Sequence, residues 1–135
     1  MKKIVVDATI ENIDVVTEFV NEELEKLECM PKAMIQIDIA IDELFGNIAH
    51  YAYWPETGKA TVEVEVEEDP LSVIITFMDN GKPFNPLEAK EPDVNASIED
   101  RQIGGLGIFM VKKTMDAITY EYKDNHNILK IKKVL

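Results

Sequence analysis

Residues 59–68 read Lys-Ala-Thr-Val-Glu-Val-Glu-Val-Glu-Glu. Three valines alternate with three glutamates in this stretch, at positions Val62, Val64 and Val66 and positions Glu63, Glu65 and Glu67. Successive side chains of a β-strand point to opposite faces of the sheet, so this strand has one apolar face and one charged face. The pattern is typical of an antiparallel sheet that is covered on one side and exposed to water on the other.

Further strands and helices are predicted on both sides of this strand. Alternation, strand-favouring residues and turn signals indicate strands at Lys2–Asp7, Ser72–Asp79, Ala117–Lys123 and residues 127–134. Apolar residues at helical spacing indicate helices over residues 13–27 and residues 32–53. The predicted fold class is α/β (α+β), a two-layer sandwich with a mixed, mostly antiparallel sheet and helices on one face, formed by residues 1–135 as one domain.

Composition limits the possible functions. A chain of 135 residues with 46% apolar side chains can bury a core. It has neither an apolar run of about 20 residues nor a signal peptide, and its one cysteine cannot form an internal disulfide, so a cytoplasmic protein without a membrane segment is expected. The net charge of −12 opposes binding to nucleic acid. It favours either a basic protein partner or simple solubility.

The helix over residues 32–53 contains the first candidate functional motif. Glu43, Asn47 and Tyr51 are spaced four residues apart, so they form one row beside the apolar row that faces the core. An amide oxygen at Asn47 suits Mg²⁺, and a carboxylate at Glu43 can accept a proton from an attacking hydroxyl. The alternative is a solvated glutamate beside a poor helix former.

The second motif is the turn after the strand Ser72–Asp79. Asp79 ends that strand, and Asn80-Gly81 is a strong turn signal. A carboxylate on the floor of a pocket can accept a hydrogen bond from the exocyclic amine of adenine, whereas guanine presents an acceptor there. Gly81 would let the backbone approach the base. The alternative is an ordinary turn in which aspartate bonds to the local backbone.

The third motif is a glycine-rich segment, Gly104-Gly105-Leu106-Gly107-Ile108, which opens an apolar helix. Free N–H groups at a helix N-terminus suit phosphate oxygens. A hinge before a buried helix is the alternative. Residues 83–103, between the second and third motifs, show little periodicity, and a stretch of that length inside a compact domain is often an active-site lid. A plain surface insertion is the other interpretation.

Together the three motifs resemble those of the Bergerat-fold ATPases, the superfamily of gyrase, heat-shock chaperones, histidine kinases and mismatch-repair proteins. Within it the chain looks most like the bacterial anti-sigma-factor serine kinases. The resemblance implies that Glu43 is the general base, that Asn47 is the magnesium ligand and that Asp79 reads adenine. It also implies that the second and third motifs bind ATP, through Gly81, Phe84, Gly104, Gly105, Leu106, Gly107 and Ile108. Arg101 falls where a lid residue would touch the terminal phosphate.

The function implied by this resemblance is transfer of the terminal phosphate of ATP, with Mg²⁺, to a serine of a small antagonist protein. The implied partners are a sigma factor and that antagonist of the anti-sigma factor, and the implied assembly is a homodimer. Two alternatives remain open. One is a non-catalytic module whose protein contacts are gated by ATP, and the other is a detached catalytic domain of a histidine kinase.

Overall fold

The computed structural model describes residues 1–88 and 105–135. Its strands are β1 (Lys2–Asp7), β2 (Lys59–Glu67), β3 (Ser72–Asp79), β4 (Ala117–Lys123) and β5 (His126–Val134). Its helices are α1 (Ile13–Lys26), α2 (Pro31–Asn47) and α3 (Gly105–Thr114), with a π-helical segment at Ile48–Ala52 and short 3₁₀ turns at Ile10–Asn12 and Pro86–Glu88. All five strands expected from the sequence are present.

The five strands form one open sheet in the order β1-β2-β3-β5-β4. Each neighbouring pair is antiparallel. The two-layer architecture and the mostly antiparallel sheet are confirmed, and the parallel pairing implied by a mixed sheet does not occur among the described strands. At the β4–β5 hairpin, Asp124 and Asn125 have φ of 53° and 64°. These residue types tolerate a left-handed backbone, and such turns match the twist of the strands that they join.

The apolar core lies between the sheet and the helices. Val62, Phe77 and Leu129 lie side by side on β2, β3 and β5, and all three are buried. From the helices, Val16, Val20, Leu24, Ile37, Ile41 and Phe45 are fully buried against that face. The valine alternation of β2 is confirmed except at its end, where Val66 is exposed.

Helix α2 is the central support of the helical layer, because it contacts both α1 and α3. It ends at Asn47 rather than continuing as an α-helix to residue 53, and a π-helical turn follows. The Ala52 carbonyl in that turn accepts the N–H of Lys82 at 2.9 Å. The loop after β3 therefore supplies a partner for a carbonyl of the last helical turn, where carbonyls have no partner within the helix. Among the described residues, no helix is long and apolar enough to cross a membrane.

Candidate functional site

A cleft opens where the end of α2 meets the ends of β3 and β5. Its empty volume is about 420 Å³, counting space that is open to solvent. Its lining includes Leu44, Asn47, Ile48, Ala52, Phe77 and Leu129. Cofactor and small-molecule sites have a mostly apolar lining of this kind, with a few polar groups that fix the orientation of the ligand.

The polar floor of the cleft is a pair of side chains on neighbouring strands, Asp79 and Asn127. The β3–β5 register places them directly opposite each other. Both follow the alternation that points Phe77 and Leu129 toward the helices, so they face the cleft instead of solvent. Asp79 is 5% exposed and Asn127 is 6% exposed. Asn127 Nδ2 donates a hydrogen bond to Asp79 Oδ1 at 2.9 Å.

Burial raises the pKa of the Asp79 carboxyl, and hydrogen bonds from Asn127 and from the Gly81 N–H oppose that rise. The positive field of His126 opposes it to a smaller extent. The Gly81 N–H also meets Oδ1, at 2.9 Å. Because both hydrogen bonds found among the described residues fall on Oδ1, Oδ2 is the oxygen left for a ligand.

Asn127 also fixes the loop that follows β3. Its Nδ2 donates to the Lys82 carbonyl at 2.8 Å, and its Oδ1 accepts the Phe84 N–H at 3.0 Å. The Tyr120 hydroxyl donates to the same Oδ1. One buried amide thus joins β5, the adenine-reading candidate Asp79 and the loop that forms the cleft wall.

Gly81 has a steric role in this wall. A β-carbon at this position would overlap the Ala52 carbonyl group, so only glycine lets the loop close on the end of the π-helical turn. Phe84 lines the cleft, and its ring centroid lies 6.0 Å from that of Tyr51. Each residue is about half exposed. Tyr51 lies in the π-helical turn, so it does not continue the α-helical row of Glu43 and Asn47.

Glu43 and Asn47 lie on α2. Asn47 lines the cleft, whereas Glu43 lies beside it. Burial raises the pKa of the Glu43 carboxyl, the negative charge of Asp42 raises it further, and a hydrogen bond with Asn47 opposes the rise. Glu43 Oε1 is buried and has no hydrogen-bond partner among the described residues. Such an orphaned oxygen is costly in a folded protein and is a suitable proton acceptor.

The glycine-rich motif reaches this carboxylate. A β-carbon at Gly107 would overlap the Glu43 carboxylate, so the first turn of α3 packs directly on the candidate base. Gly105 is the first residue of α3, and Leu106 follows it. Ile108 is 4% exposed and belongs to the hydrophobic core, so a contact between its side chain and a ligand stays a prediction.

The remaining predicted site residues, Arg101 and Gly104, lie outside the described residues, as do residues 89–103 of the predicted lid. The first part of that lid is anchored. The Lys112 ammonium donates to the Leu87 carbonyl at 3.0 Å, and Pro86 lines the cleft.

Asn127 and Tyr120 form hydrogen bonds at the cleft but are not among the site residues predicted from the sequence. Asn127 had a readable signal, because it continues the inward alternation of Leu129 and Ile131 as a polar exception. Tyr120 had none, since its hydroxyl meets Asn127 only through the β4–β5 pairing.

Comparison with known proteins is consistent with this geometry. The model of the histidine kinase-like ATPase domain family matches residues 6–133. The chain is 28% identical over 93 residues to serine/threonine-protein kinase BtrW from Bordetella bronchiseptica, covering 69% of this chain and 65% of the relative. It is 31% identical over 106 residues to serine-protein kinase RsbW from Listeria monocytogenes, covering 75% and 66%.

A further RsbW, from Bacillus mycoides, is 30% identical over 103 residues, covering 73% of this chain and 63% of the relative. The chain therefore spans slightly less than two thirds of the length of each of these relatives. The family match covers nearly the whole chain and includes both the cleft and its floor. The chain belongs to the histidine kinase-like ATPase domain family.

Proposed function

We propose that this protein is an ATP-dependent serine protein kinase of the anti-sigma-factor type. The observation that carries the proposal is the buried Asp79–Asn127 pair on the floor of a cleft that Asn47 also lines, with Glu43 next to it. The relatives named as serine-protein kinases support the reaction class.

Adenine recognition follows from the two oxygens of Asp79. Oδ1 is held by Gly81 and Asn127, so the carboxylate cannot rotate freely, and Oδ2 can accept a hydrogen bond from the exocyclic amine of adenine. Guanine presents a carbonyl oxygen at that place, which would face the carboxylate unpaired. A hydrogen bond to a charged group contributes about 1.5–3 kcal/mol, which corresponds to roughly 10- to 150-fold in affinity.

Phosphate binding is assigned to the start of α3. The N–H groups of the Gly105–Gly107 turn lack helical partners because they belong to the first turn, and the helix dipole adds to their attraction for anions. Mg²⁺, held by the Asn47 amide oxygen with phosphate and water oxygens, would neutralise the charge on the phosphates. Asn47 fits that role, since it lies on the cleft wall beside Glu43.

Glu43 is proposed as the general base. The hydroxyl oxygen of a partner serine forms a bond to the terminal phosphorus of ATP, the bond from that phosphorus to the bridging oxygen breaks, and ADP leaves. The serine proton passes to the Glu43 carboxylate, whose buried and unpartnered Oε1 is available to accept it. By family resemblance the serine belongs to an antagonist protein, the second partner is a sigma factor, and the kinase is a homodimer.

The first test is calorimetric titration with ATP, ADP and GTP, with and without Mg²⁺. Asp79→Asn should weaken ATP binding by at least about tenfold and reduce the preference over GTP, because the amide can donate to a guanine carbonyl. Asp7→Asn, at the end of β1 and away from the cleft, is the matched control and should bind as the wild type does. No ATP binding by the folded wild-type protein would refute the proposal.

Catalysis is tested separately from binding. Serine phosphorylation of a co-purified partner, measured by mass spectrometry, should require ATP and should be lost in Glu43→Gln while ATP affinity is kept. Equal phosphorylation by that variant would remove Glu43 from the reaction. ATP binding without transfer by the wild type would favour the non-catalytic, ATP-gated module.

A further inference from the structure

A second surface of the molecule, separate from the cleft, has an unusual composition. It is the exposed side of the α1–α2 helix pair, called here the acidic helical face. Its residues are Asp14, Glu18, Glu22 and Glu25 of α1 and Ile35, Ile39 and Asp42 of α2, all exposed. The two helices are joined by residues 27–30 and pack against each other, so these side chains share one side of the fold.

The apolar part of this face lies on α2. Ile35 is 59% exposed and Ile39 is 47% exposed, and the two lie one helical turn apart. The core-facing residues of the same helix, Ile37 and Ile41, are fully buried. The helix is therefore apolar on two sides, and the core accounts for only one of them. Large isoleucine side chains exposed as neighbours indicate a contact surface more than isolated ones do.

The charged part lies along α1 and, on α2, at Asp42. Five of the nine acidic side chains in residues 13–47 belong to this face. With its two basic side chains, that segment has a net charge of −7 out of −12 for the whole chain. One of the two basic residues, Lys26, is already paired with Glu23 at 3.1 Å. The exposed acids of α1 recur every three or four residues, which aligns them along one side of the helix.

We propose that the acidic helical face docks a basic amphipathic helix of a protein partner, with the partner's apolar side on Ile35 and Ile39 and its lysines or arginines against the acids. Docking of this kind places an apolar helix side in an apolar surface and uses charge for orientation and rate. This inference deepens the proposed function by giving the protein partner a binding surface, but it does not depend on ATP binding or on catalysis.

Charge selects this occupant over others. A two-fold contact with a second copy of the chain would bring the same acids against one another, because a two-fold interface uses the same patch on both subunits. Nucleic acid and anionic membranes carry phosphates, which the acids would repel. A basic helix is the occupant whose charge and apolar side both match.

The test uses the full chain and a synthetic peptide of about four helical turns, roughly 14 residues, with leucines on one side and lysines on the other. A matched peptide carries glutamate in place of lysine. Calorimetry gives the affinity, and amide chemical shifts locate the contact. We expect the lysine peptide to bind at α1 and α2, more weakly as salt rises, and the glutamate peptide not to bind.

Two sets of variants make the test specific. The double variant Ile35→Ser/Ile39→Ser should weaken peptide binding by at least about tenfold, because it removes the apolar anchors. The control Val5→Ser/Val66→Ser, which alters exposed valines of the sheet, should leave it within about twofold. Glu18→Gln/Asp42→Asn keeps the isoleucines and should weaken both the affinity and its dependence on salt.

Three results would overturn the proposal. The first is an unchanged peptide affinity in Ile35→Ser/Ile39→Ser. The second is a set of peptide-induced chemical-shift changes spread over acidic surface outside α1 and α2. The third is a wild-type protein that is dimeric through this face, so that the same double variant is monomeric. ATP affinity is measured for each variant beside the peptide affinity. A protein that does not bind ATP would be recognised from the ATP titration. The peptide affinity of the acidic helical face would still be a valid test of this proposal.

Discussion

Replacement of Asn127 by alanine should be the most damaging single change in the cleft. The side chain makes four hydrogen bonds, to Asp79, the Lys82 carbonyl, the Phe84 N–H and the Tyr120 hydroxyl. The bond to the Asp79 carboxylate contributes about 1.5–3 kcal/mol and each of the others about 1 kcal/mol. Water entering the open cleft would replace some of the lost hydrogen bonds. We therefore expect Asn127→Ala to lower the free energy of unfolding by about 2–4 kcal/mol.

A loss of that size is a large fraction of the stability of a typical domain, about 5–15 kcal/mol. It is measured by urea unfolding of both proteins, followed by circular dichroism. Under conditions in which the variant remains folded, its ATP affinity should fall by at least about tenfold, because Asp79 and the loop at Phe84 lose their common support. Asn125→Gly, in the exposed β4–β5 turn at positive φ, is the matched control and should change stability by less than about 0.5 kcal/mol.

The isosteric variant Asn127→Asp separates lost packing from lost hydrogen bonding. It would place a second carboxyl against Asp79, and burial already raises the pKa of Asp79. The folded protein would therefore hold a proton that the unfolded chain releases. The native state then binds more protons, and the destabilisation should shrink as the pH falls. Equal stability of Asn127→Ala and wild type, or a pH-independent loss in Asn127→Asp, would refute this account of the cleft floor.

Three further changes test neighbouring contacts. Gly107→Ala should keep or slightly raise stability, since alanine favours a helix by up to about 1 kcal/mol relative to glycine. The variant should nevertheless transfer phosphate about 100-fold more slowly, because the new methyl group displaces the Glu43 carboxylate. Full transfer by the folded variant would contradict the contact. Gly46→Ala should raise the free energy of unfolding, measured with urea, by about 1 kcal/mol, because alanine favours a helix and its β-carbon would meet no described atom within 4 Å. A lower free energy of unfolding would show that the site has no room for the methyl group. Glu43→Gln should be more stable than wild type at neutral pH, because the pKa of Glu43 in the folded protein lies above its ordinary 4.5 and ionisation of the carboxyl therefore opposes folding. The stability advantage should vanish as the pH falls toward 4.5. Urea unfolding across pH would refute this if the advantage stayed constant.

The strands, helices and turns of this fold could be predicted from the sequence, whereas most contacts between residues far apart in the chain could not. The alternation of Val62 and Glu63 predicted a half-buried strand because side-chain direction in a strand depends only on position along it. Asp79 was recognised because a turn dipeptide follows it directly. The partner Asn127 was not recognised as a site residue, since its position opposite Asp79 depends on the register between two strands that are far apart in the chain.

The same limit explains the end of α2. Helical spacing predicted an α-helix to residue 53, because nothing between Asn47 and Ala52 breaks the pattern. At the end of the observed π-helical turn, the Ala52 carbonyl accepts the Lys82 N–H, a contact between residues that lie thirty positions apart, which local spacing does not indicate. The contact of Gly107 with Glu43 joins residues that lie 64 positions apart, so the sequence assigns Gly107 to its motif without the neighbour that requires a glycine there.

The π-helical turn also makes the length of this segment more constrained than its composition. A π turn holds one residue more than an α turn, so deleting one residue between Asn47 and Ala52 could restore a regular α-helix. It would also move Ala52 by about 1.5 Å along the axis and turn it by roughly 100°, away from Gly81 and the Lys82 N–H. Substitution at the exposed His50 leaves that spacing intact. Among relatives of this chain, changes of residue type should therefore be common in this turn, and changes in the number of residues should be rare.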